Sequence, residues 1–450
     1  MAVINVKKLI DESSLNKSHL KAFLTCIVSL TFDGYDLVVF GATIPILLVA
    51  WNMSPAYAGL IGSYAYAAGI LGAITGGYLG DRWGRKNTIL LSIIIFSSGT
   101  LWCGLSSEPF WFGLARTLTG FGLGMTLQNE VALISEYFPA RYNKSATTAL
   151  GTGMQLGGII AALSALWLLE AYGWQSLYYL GATIIVLFPV LFKYMPEAPW
   201  VLVSKDKRLE IKQMLAEIRP DVTVPDDATF EYAQAKNKKG LLQVFAERRT
   251  FSTILFWLIY FLNMYVTQGT NTWIPKLMID KGHGLGLSLW LYLTMFIGAA
   301  IGSYIGGFFV DRIGAKRVVI VQFLCAFVSL CLLSLPMNVY LTFVVIAFVG
   351  VGTQGAMNVT HCYVTQFFPP QVKSTAMGWG LGLGRFGALF GPLIGGILLS
   401  YKATLFQSLF ALAVPSLLAG CAALLVQDRY GYATRLAEQD ERNVENILNS

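Results

Sequence analysis

Two carboxylates, Asp33 and Asp36, lie in the middle of an apolar run between Lys21 and Trp51 that is long enough to cross a bilayer. A charge at that depth costs at least about 2.5 kcal/mol, so an intramembrane acid normally faces a partner, a cavity or a proton path. Their spacing places both acids on one helix face, and Gly34 between them leaves room for close helix packing or a bend. The pair is therefore a candidate for proton binding, although either acid singly could merely accept hydrogen bonds from a neighbouring helix.

Three more charged residues, Arg116, Glu130 and Arg385, fall within apolar segments. A guanidinium binds a carboxylate through two parallel hydrogen bonds and can stack on a ring, so both arginines are candidate binding groups for an organic anion. Arg116 could instead pair with Asp33, Asp36 or Glu130 to hold helices together, although direct contact with Glu130, about 21 Å away along the same helix, is excluded. Glu130 could relay protons, or pair with a group on another helix. Arg385 has fewer obvious partners and is the better substrate anchor.

Aromatic side chains near these charges are candidate substrate contacts. Tyr35 neighbours Asp36, and Trp379 precedes Arg385 in the same apolar segment. The alternative for both is helix packing, the more common role of aromatic residues in membrane spans. His361 is open to the same two interpretations. No spacing of His, Cys and carboxylates indicates a metal, and no phosphate-binding loop is present, so we expect neither a metal nor another cofactor.

The composition indicates a polytopic membrane protein rather than a soluble one: 55% of residues are hydrophobic, 13% are charged and the mean hydropathy is +0.59. We do not expect the protein to be an enzyme. Apolar runs of about 20 residues, the length that spans a bilayer, recur along the chain. The sequence predicts an all-α membrane protein with twelve transmembrane helices. The predicted spans are 21–48, 57–80, 87–106, 110–136, 146–170, 175–195, 251–276, 287–310, 318–335, 338–366, 374–400 and 403–426.

The distribution of basic residues predicts the orientation, because Lys and Arg are retained on the cytoplasmic side of short loops. Of the 32 Lys and Arg residues, only Lys276, Lys281 and Lys402 fall at predicted outer positions, and Arg116 and Arg385 fall within spans. Both termini are therefore predicted to be cytoplasmic. The net charge of +7 belongs to the inner face, where contact with anionic lipid accounts for it and no nucleic-acid partner is expected.

The chain also repeats itself at an offset of 230 residues. Residues 76–86 reappear as 306–316, and the glycines and Phe-Pro pairs of the fourth span reappear in the tenth. Two pseudo-symmetric six-helix halves are the natural interpretation, and such halves place a substrate site near the membrane midplane. The predicted divisions are an N-terminal tail at 1–20, a first half at 21–195, a cytoplasmic linker at 196–250, a second half at 251–426 and a C-terminal tail at 427–450.

Residues 77–86, Gly-x-x-x-Asp-Arg-x-Gly-Arg-Lys, resemble the signature loop of the major facilitator superfamily, and 196–199, Pro-Glu-Ala-Pro, resemble the end of its first half. Trp200 stands where the superfamily usually has an arginine. Within it, 33–36, 129–139 and 384–387 resemble the aromatic acid:proton symporters. The resemblance implies a bacterial inner-membrane monomer working by alternating access. Its implied gating residues are Asp81, Arg82 and Arg85, braced by Glu136, with a weaker copy at Asp311 and Arg312.

Three functions compete on this basis. A proton-coupled importer of a small organic anion, such as an aromatic carboxylate, fits the acids and the resemblance. A proton-driven exporter is the alternative, but the fifth span, at 151–158, lacks the proline of the antiporter motif. A membrane sensor would need a sizeable soluble output domain, for which the linker and tail are too short. We therefore expect import, with Asp33, Asp36 and Glu130 binding protons and Arg385 and Arg116 binding the substrate.

Overall fold

The structure is a computed structural model that describes residues 3–222, 224–225, 228–232, 241–246, 248–369, 372–432 and 434. It is almost entirely helical. The helices of the first half are α1 Val6–Asp11, α2 Lys17–Ala50, α3 Pro55–Trp83, α4 Arg85–Leu105, α5 Pro109–Tyr137, α6 Ala140–Tyr172, α7 Gln175–Ala182 and α8 Ile184–Tyr194, followed by α9 Pro199–Ser204 and α10 Arg208–Ile218.

The second half contains α11 Thr250–Asp280, α12 Leu285–Ile313, α13 Ala315–Leu333, α14 Val339–Gly350, α15 Ala356–Phe367, α16 Lys373–Ser400 and α17 Leu405–Leu425. A π-helical turn, Val351–Gly355, joins α14 to α15, and short 3-10 turns cover Leu241–Phe245 and Asp428–Tyr430. Two three-residue strands, β1 Val3–Asn5 and β2 Thr229–Glu231, pair in parallel. The sequence prediction of an all-α membrane fold therefore holds apart from this strand pair.

Eleven helical segments among the described residues are long and apolar enough to cross a membrane, counting α7–α8 and α14–α15 as one each. The predicted fourth span, 110–136, forms the helix α5, which has 29 residues and is long enough. It falls outside the eleven because Arg116 and the run Gln128-Asn129-Glu130 lower the hydropathy of its apolar stretch. Its crossing of the membrane, and the cytoplasmic position of both termini, stay predictions.

The chain divides into two compact units, Met1–Thr43 with Tyr64–Lys236, and Ile44–Ser63 with Asn237–Ser450. Most of the predicted first half lies in the first unit. The C-terminal end of α2 and the N-terminal end of α3 belong to the second unit instead, where Gly59 allows close approach to the Pro392 carbonyl of α16. Ser63 also donates a hydrogen bond to the Leu389 carbonyl, at 2.8 Å.

Helix packing within each unit follows the 230-residue repeat. A Cβ added at Gly157 of α6 would lie 2.0 Å from the Thr31 carbonyl oxygen of α2. At the equivalent Gly387 of α16, a Cβ would lie 2.0 Å from the Phe261 carbonyl oxygen of α11. Both glycines therefore bring two helix backbones into contact, as small residues do in membrane proteins.

Further glycines repeat the same contacts. A Cβ at Gly120 would meet the Ala65 carbonyl oxygen at 2.1 Å, and one at Gly350 would meet the equivalent Met295 oxygen at 1.9 Å. The turns repeat as well, because Gly84 and Gly314 have φ values of 109° and 86°, a conformation that glycine adopts without strain. The repeat seen in the sequence is therefore a repeat of backbone contacts.

At one pair of equivalent contacts, the glycine lies on a different helix in each unit. In the first unit, Gly34 of α2 lies against the backbone of Met154 of α6. In the second unit, the equivalent positions hold Met264 and Gly384, and the Met264 side chain fills the space beside the glycine. The small residue has moved to the other helix while the close approach of the two helices is kept.

The N-terminal segment and the first part of the linker are packed on the first unit. β1 pairs with β2, and Val6 and Ile10 of α1 share a buried cluster with residues of α10. The Ser18 hydroxyl lies 2.8 Å from the Glu217 carboxylate, to which it donates, and 2.9 Å from the Tyr137 hydroxyl. The predicted tail at 1–20 and this part of the predicted linker at 196–250 therefore form one structured layer. The predicted tail at 427–450 lies largely outside the described residues.

The glycine contacts give a stability prediction. Gly157→Ala forces the α2 and α6 backbones apart, and such overpacking costs about 1–3 kcal/mol, more than the helix propensity gained by alanine. We expect a lower thermal denaturation midpoint in detergent, measured by size-exclusion chromatography after heating.

Gly151→Ala is the matched control, because it lies on the same helix and an added Cβ would meet nothing within 4 Å. Gly387→Ala and Gly382→Ala repeat the comparison in the second unit. Equal midpoints for Gly157→Ala and Gly151→Ala would show that the close contact does not limit stability.

Candidate functional site

The most buried ion pair among the described residues of the first unit joins α2 to α5. Arg116 Nη1 donates to Asp36 Oδ2 at 2.6 Å, and both side chains are 3% exposed. The Thr100 hydroxyl donates to the other Asp36 oxygen at 3.4 Å, and the Arg116 guanidinium lies over the Phe40 ring at 5.2 Å. Among the described residues Arg116 Nε has no hydrogen-bond partner. Of the pairings left open for Arg116 by the sequence, the structure contains the one with Asp36.

Glu130 lies further toward the other end of α5 and is completely buried. It faces Cys26, Ser29 and Asp33 of α2, and neither of its carboxylate oxygens makes a hydrogen bond of normal geometry to a described residue. Asp33 is itself 5% exposed. Two acids thus lie near each other in a buried region.

These contacts form one polar stripe. Residues Cys26, Ser29, Asp33, Asp36 and Phe40 follow the helical repeat along one face of α2, over about 21 Å of helix. The first three interact with Glu130 and the last two with Arg116. The stripe therefore places two candidate proton-binding acids at one end and the ion pair at the other, within a single helix interface.

Tyr35 lies on a different face of α2. Its hydroxyl donates to the Leu177 carbonyl oxygen of α7 at 2.9 Å, and its ring packs against Gly181. The side chain is 3% exposed. This position matches the packing alternative for Tyr35; substrate contact by this residue stays a prediction.

The predicted gating residues of the first unit are partly brought together. Arg85 Nη2 lies 2.8 Å from Asp81 and 3.4 Å from Glu136, and its guanidinium lies over the Trp200 ring at 5.9 Å. Trp200, which replaces the usual arginine, therefore contacts the cluster through its ring. Arg82 is separate from the cluster: it is exposed and donates to the Tyr78 hydroxyl at 2.7 Å.

The N-terminal layer reaches this cluster. Burial raises the pKa of the Tyr232 phenol above its ordinary value, and the nearby carboxylates Glu136 and Asp11 raise it further. Asp11 is held by Lys7 at 2.8 Å. Sequence reasoning missed this contact because the tail and linker are far apart in the chain and carry no motif.

The second unit has only part of this arrangement. Asp311 and Arg312 are exposed, and Arg312 lies over the Phe308 ring at 4.1 Å. The position equivalent to Arg85 is Ala315, so the central cation of the cluster is missing from this copy. The sequence description of these residues as a weaker copy agrees with this placement.

Arg385 and Trp379 both lie on α16. Arg385 is half-buried, and Trp379 is 47% exposed with its ring 6.2 Å from that of Trp257. His361 Nδ1 lies 3.0 Å from the Tyr260 hydroxyl, a hydrogen bond between α15 and α11. His361 thus has the hydrogen-bonded packing position that was one of its two interpretations.

Sequence reasoning missed a group of amides in the second unit. The side-chain amide of Asn271 donates to Gln268 Oε1 at 3.0 Å and accepts from Gln354 Nε2 at 3.4 Å. Nearby, Asn263 Nδ2 donates to the Thr353 carbonyl oxygen at 3.2 Å. Little in the sequence marked these residues, because a neutral amide costs less in an apolar span than a charge does. Asn263 stood out only as the repeat equivalent of Asp33.

A family model described as Major Facilitator Superfamily matches residues 26–296 and 256–447. The benzoate transport protein of Acinetobacter baylyi is 34% identical over 437 residues, which cover 95% of this chain and 94% of the relative. The gallate transporter of Pseudomonas putida is 30% identical, covering 94% of this chain and 95% of the relative. A partially occluded inward open structure of the xylose transporter XylE from E. coli has a TM-score of 0.71, at 15% identity over 90% of this chain and 97% of that one. The last likeness shows the fold alone.

The buried ion pair gives a second stability prediction. Arg116→Met leaves the Asp36 carboxylate buried without its counter-charge, which costs about 3–5 kcal/mol. The double variant Asp36→Asn/Arg116→Met removes both charges, so we expect it to regain most of the loss in thermal midpoint.

Arg82→Met serves as the control, since it removes an exposed arginine of the same unit and we expect no change. A double variant as unstable as Arg116→Met would show that the lost packing of the arginine, and not the orphaned carboxylate, causes the damage.

Proposed function

Since the chain belongs to the major facilitator superfamily, we propose that it is a proton-coupled secondary transporter that imports a small organic anion, specifically an aromatic carboxylic acid. The observation that carries the proposal is the buried Asp36–Arg116 pair at the end of the polar stripe. The relatives named for benzoate and gallate transport support the substrate class. Members of this superfamily are multi-pass membrane transporters and not enzymes, and we place the protein in a bacterial inner membrane as a functional monomer.

The ion pair suggests how protons and substrate are coupled. In a buried site the guanidinium of Arg116 requires one negative partner, which in this structure is Asp36. Protonation of Asp36 removes that partner and leaves Arg116 able to bind a carboxylate from the substrate by a charge-assisted hydrogen bond. One proton on Asp36 thus balances one carboxylate on Arg116, so that the loaded and empty sites have the same charge.

Asp33 and Glu130 extend this scheme along α2 and α5. Asp33 lies in the same stripe as Asp36, and Glu130 faces that stripe from α5. A proton that leaves Asp36 can therefore bind one of these acids next. Arg385 on α16 is proposed as the second anchor of the substrate carboxylate, with Trp379 and Tyr35 beside the ring. Alternating access then requires that the site opens to one side of the membrane at a time.

The cluster around Arg85 is proposed as part of the inner gate. Asp81, Glu136 and Trp200 hold the guanidinium in place, and Arg82, Asp311 and Arg312 supply exposed charges at the equivalent turns. Such charged clusters can stabilise one conformation over another by a few kcal/mol in a two-state cycle.

The test is uptake into liposomes that contain the purified protein and carry an inward proton gradient. We expect accumulation of labelled 4-hydroxybenzoate or benzoate, but not of an aliphatic acid, and loss of accumulation on addition of an uncoupler. Asp36→Asn should abolish accumulation, because the residue no longer titrates.

Protein-free liposomes measure passive entry of the undissociated acid and give the baseline. Asp206→Asn, an exposed linker substitution, is the matched control and should accumulate substrate like the wild type. Release of preloaded acid without uptake would favour the exporter, and accumulation by Asp36→Asn equal to that of the wild type would remove Asp36 from coupling.

The anchor role of Arg385 is tested by a change that keeps its charge. Arg385→Lys loses the planar fork that binds a carboxylate through two hydrogen bonds, so we expect the apparent KM for the aromatic acid to rise about tenfold, as for about 1.4 kcal/mol of lost binding. Arg208→Lys, a substitution of an exposed linker arginine, is the control and should leave KM unchanged. A wild-type KM in Arg385→Lys would contradict bidentate binding at this residue.

A further inference from the structure

The amides of the second unit form a short chain with a fixed direction. Gln354 Nε2 donates to Asn271 Oδ1, and Asn271 Nδ2 donates to Gln268 Oε1. Asn271 is 2% exposed, and its backbone carbonyl accepts a hydrogen bond of 2.6 Å from the Tyr292 hydroxyl. Tyr292 therefore fixes the backbone of Asn271, and the two hydrogen bonds of the Asn271 side chain orient the glutamines at either end.

Each end of the chain retains an unused hydrogen-bonding group. Gln268 keeps its Nε2 donor and Gln354 keeps its Oε1 acceptor, and neither group has a hydrogen-bond partner among the described residues. Both side chains are half-buried, and neither group is fully enclosed by protein. Amides that face lipid leave their polar atoms unsatisfied at a cost, so these two groups are expected to face water or a ligand.

The backbone beside Gln354 differs from its repeat equivalent. Gln354 lies in the π-helical turn Val351–Gly355, whereas the equivalent residues 121–125 continue the regular helix α5. Single π-helical turns occur frequently at functional sites because they displace side chains from the helical register. The backbone of the second unit thus differs from that of the first at Gln354, the residue that ends the amide chain.

We propose that Gln268 and Gln354 form a subsite that binds a hydroxyl group on the aromatic ring of the substrate. The two glutamines are neighbours, because both are bonded to the single amide of Asn271. A ring hydroxyl both donates and accepts hydrogen bonds, so it satisfies the Gln354 acceptor and the Gln268 donor together. An unsubstituted benzoate leaves both groups unpaired. The inference rests on the proposed function and narrows its substrate class to hydroxylated aromatic acids.

The experiment measures binding of benzoate and of 2-, 3- and 4-hydroxybenzoate to the purified full-length protein by isothermal titration calorimetry. We expect the best hydroxybenzoate to bind about tenfold more tightly than benzoate, the factor that corresponds to about 1.4 kcal/mol. In Gln268→Met, which keeps the length and flexibility of the side chain but lacks the donor, this preference should fall to about twofold or less. The affinity for benzoate should stay within about twofold of the wild-type value.

Gln354→Met is the second variant, and its preference should fall in the same way. Gln366→Met, an exposed substitution near the end of the same span, is the matched control and should keep the wild-type preference. Because the preference is a ratio measured on one sample, partial loss of folded protein does not alter it. Equal binding of benzoate and all hydroxybenzoates by the wild type, or an undiminished preference in both variants, overturns the subsite but leaves the proposed function standing. Binding of none of the four acids overturns both.

Discussion

The cost of placing charge in a low-dielectric interior governs the architecture of the first unit. Asp36 and Arg116 are each 3% exposed, and each is tolerable there only because the other is within 2.6 Å. The pair fixes α2 against α5. While it is formed, Asp36 is not available to bind a proton and Arg116 is not available to bind an anion. Under the proposed function, stability and transport chemistry therefore depend on the same bond, because protonation of Asp36 leaves the charge of Arg116 on α5 without its partner.

The two units share their packing but not their chemistry. Gly157 and Gly387 bring equivalent helices into contact. At a second close approach, the glycine is Gly34 of α2 in the first unit and Gly384 of α16 in the second. The helices stay close in both units although a different helix supplies the small residue. The positions equivalent to Asp33 and Asp36 are Asn263 and Val266. Close backbone contacts are constrained by sterics in both units, whereas a titratable group is required only once per proton pathway. At these two positions the first unit therefore carries acids, and the second carries one neutral amide, which hydrogen-bonds without titrating, and one apolar side chain.

The N-terminal layer connects the first residues of the chain with the linker, which are far apart in the sequence. β1 pairs with β2 across more than two hundred residues, and Tyr232 and Asp11 lie near Glu136 of the Arg85 cluster. The tail and linker are thus packed beside the residues proposed for gating rather than extending freely from the helices. Among the described residues, this layer therefore lies beside Glu136 at the C-terminal end of α5.

The sequence by itself determined the membrane class, the approximate helices, the internal repeat and the identity of the unusual charges, because each depends on composition or on regular spacing along the chain. It also limited Arg116 to partners on other helices, because Glu130 on the same helix is too far along it to be reached. Only the tertiary structure decided that the partner is Asp36, that Glu130 faces Ser29 and Asp33, and that Tyr35 bonds to the backbone of α7. These contacts depend on which faces of separate helices pack together. The partners are 80 residues apart in the Asp36–Arg116 pair and 142 apart in the Tyr35–Leu177 bond, so no local sequence pattern indicates them. The amide chain was missed for the same reason, since Gln268, Asn271 and Gln354 are ordinary residues until the π-helical turn brings one of them to the others.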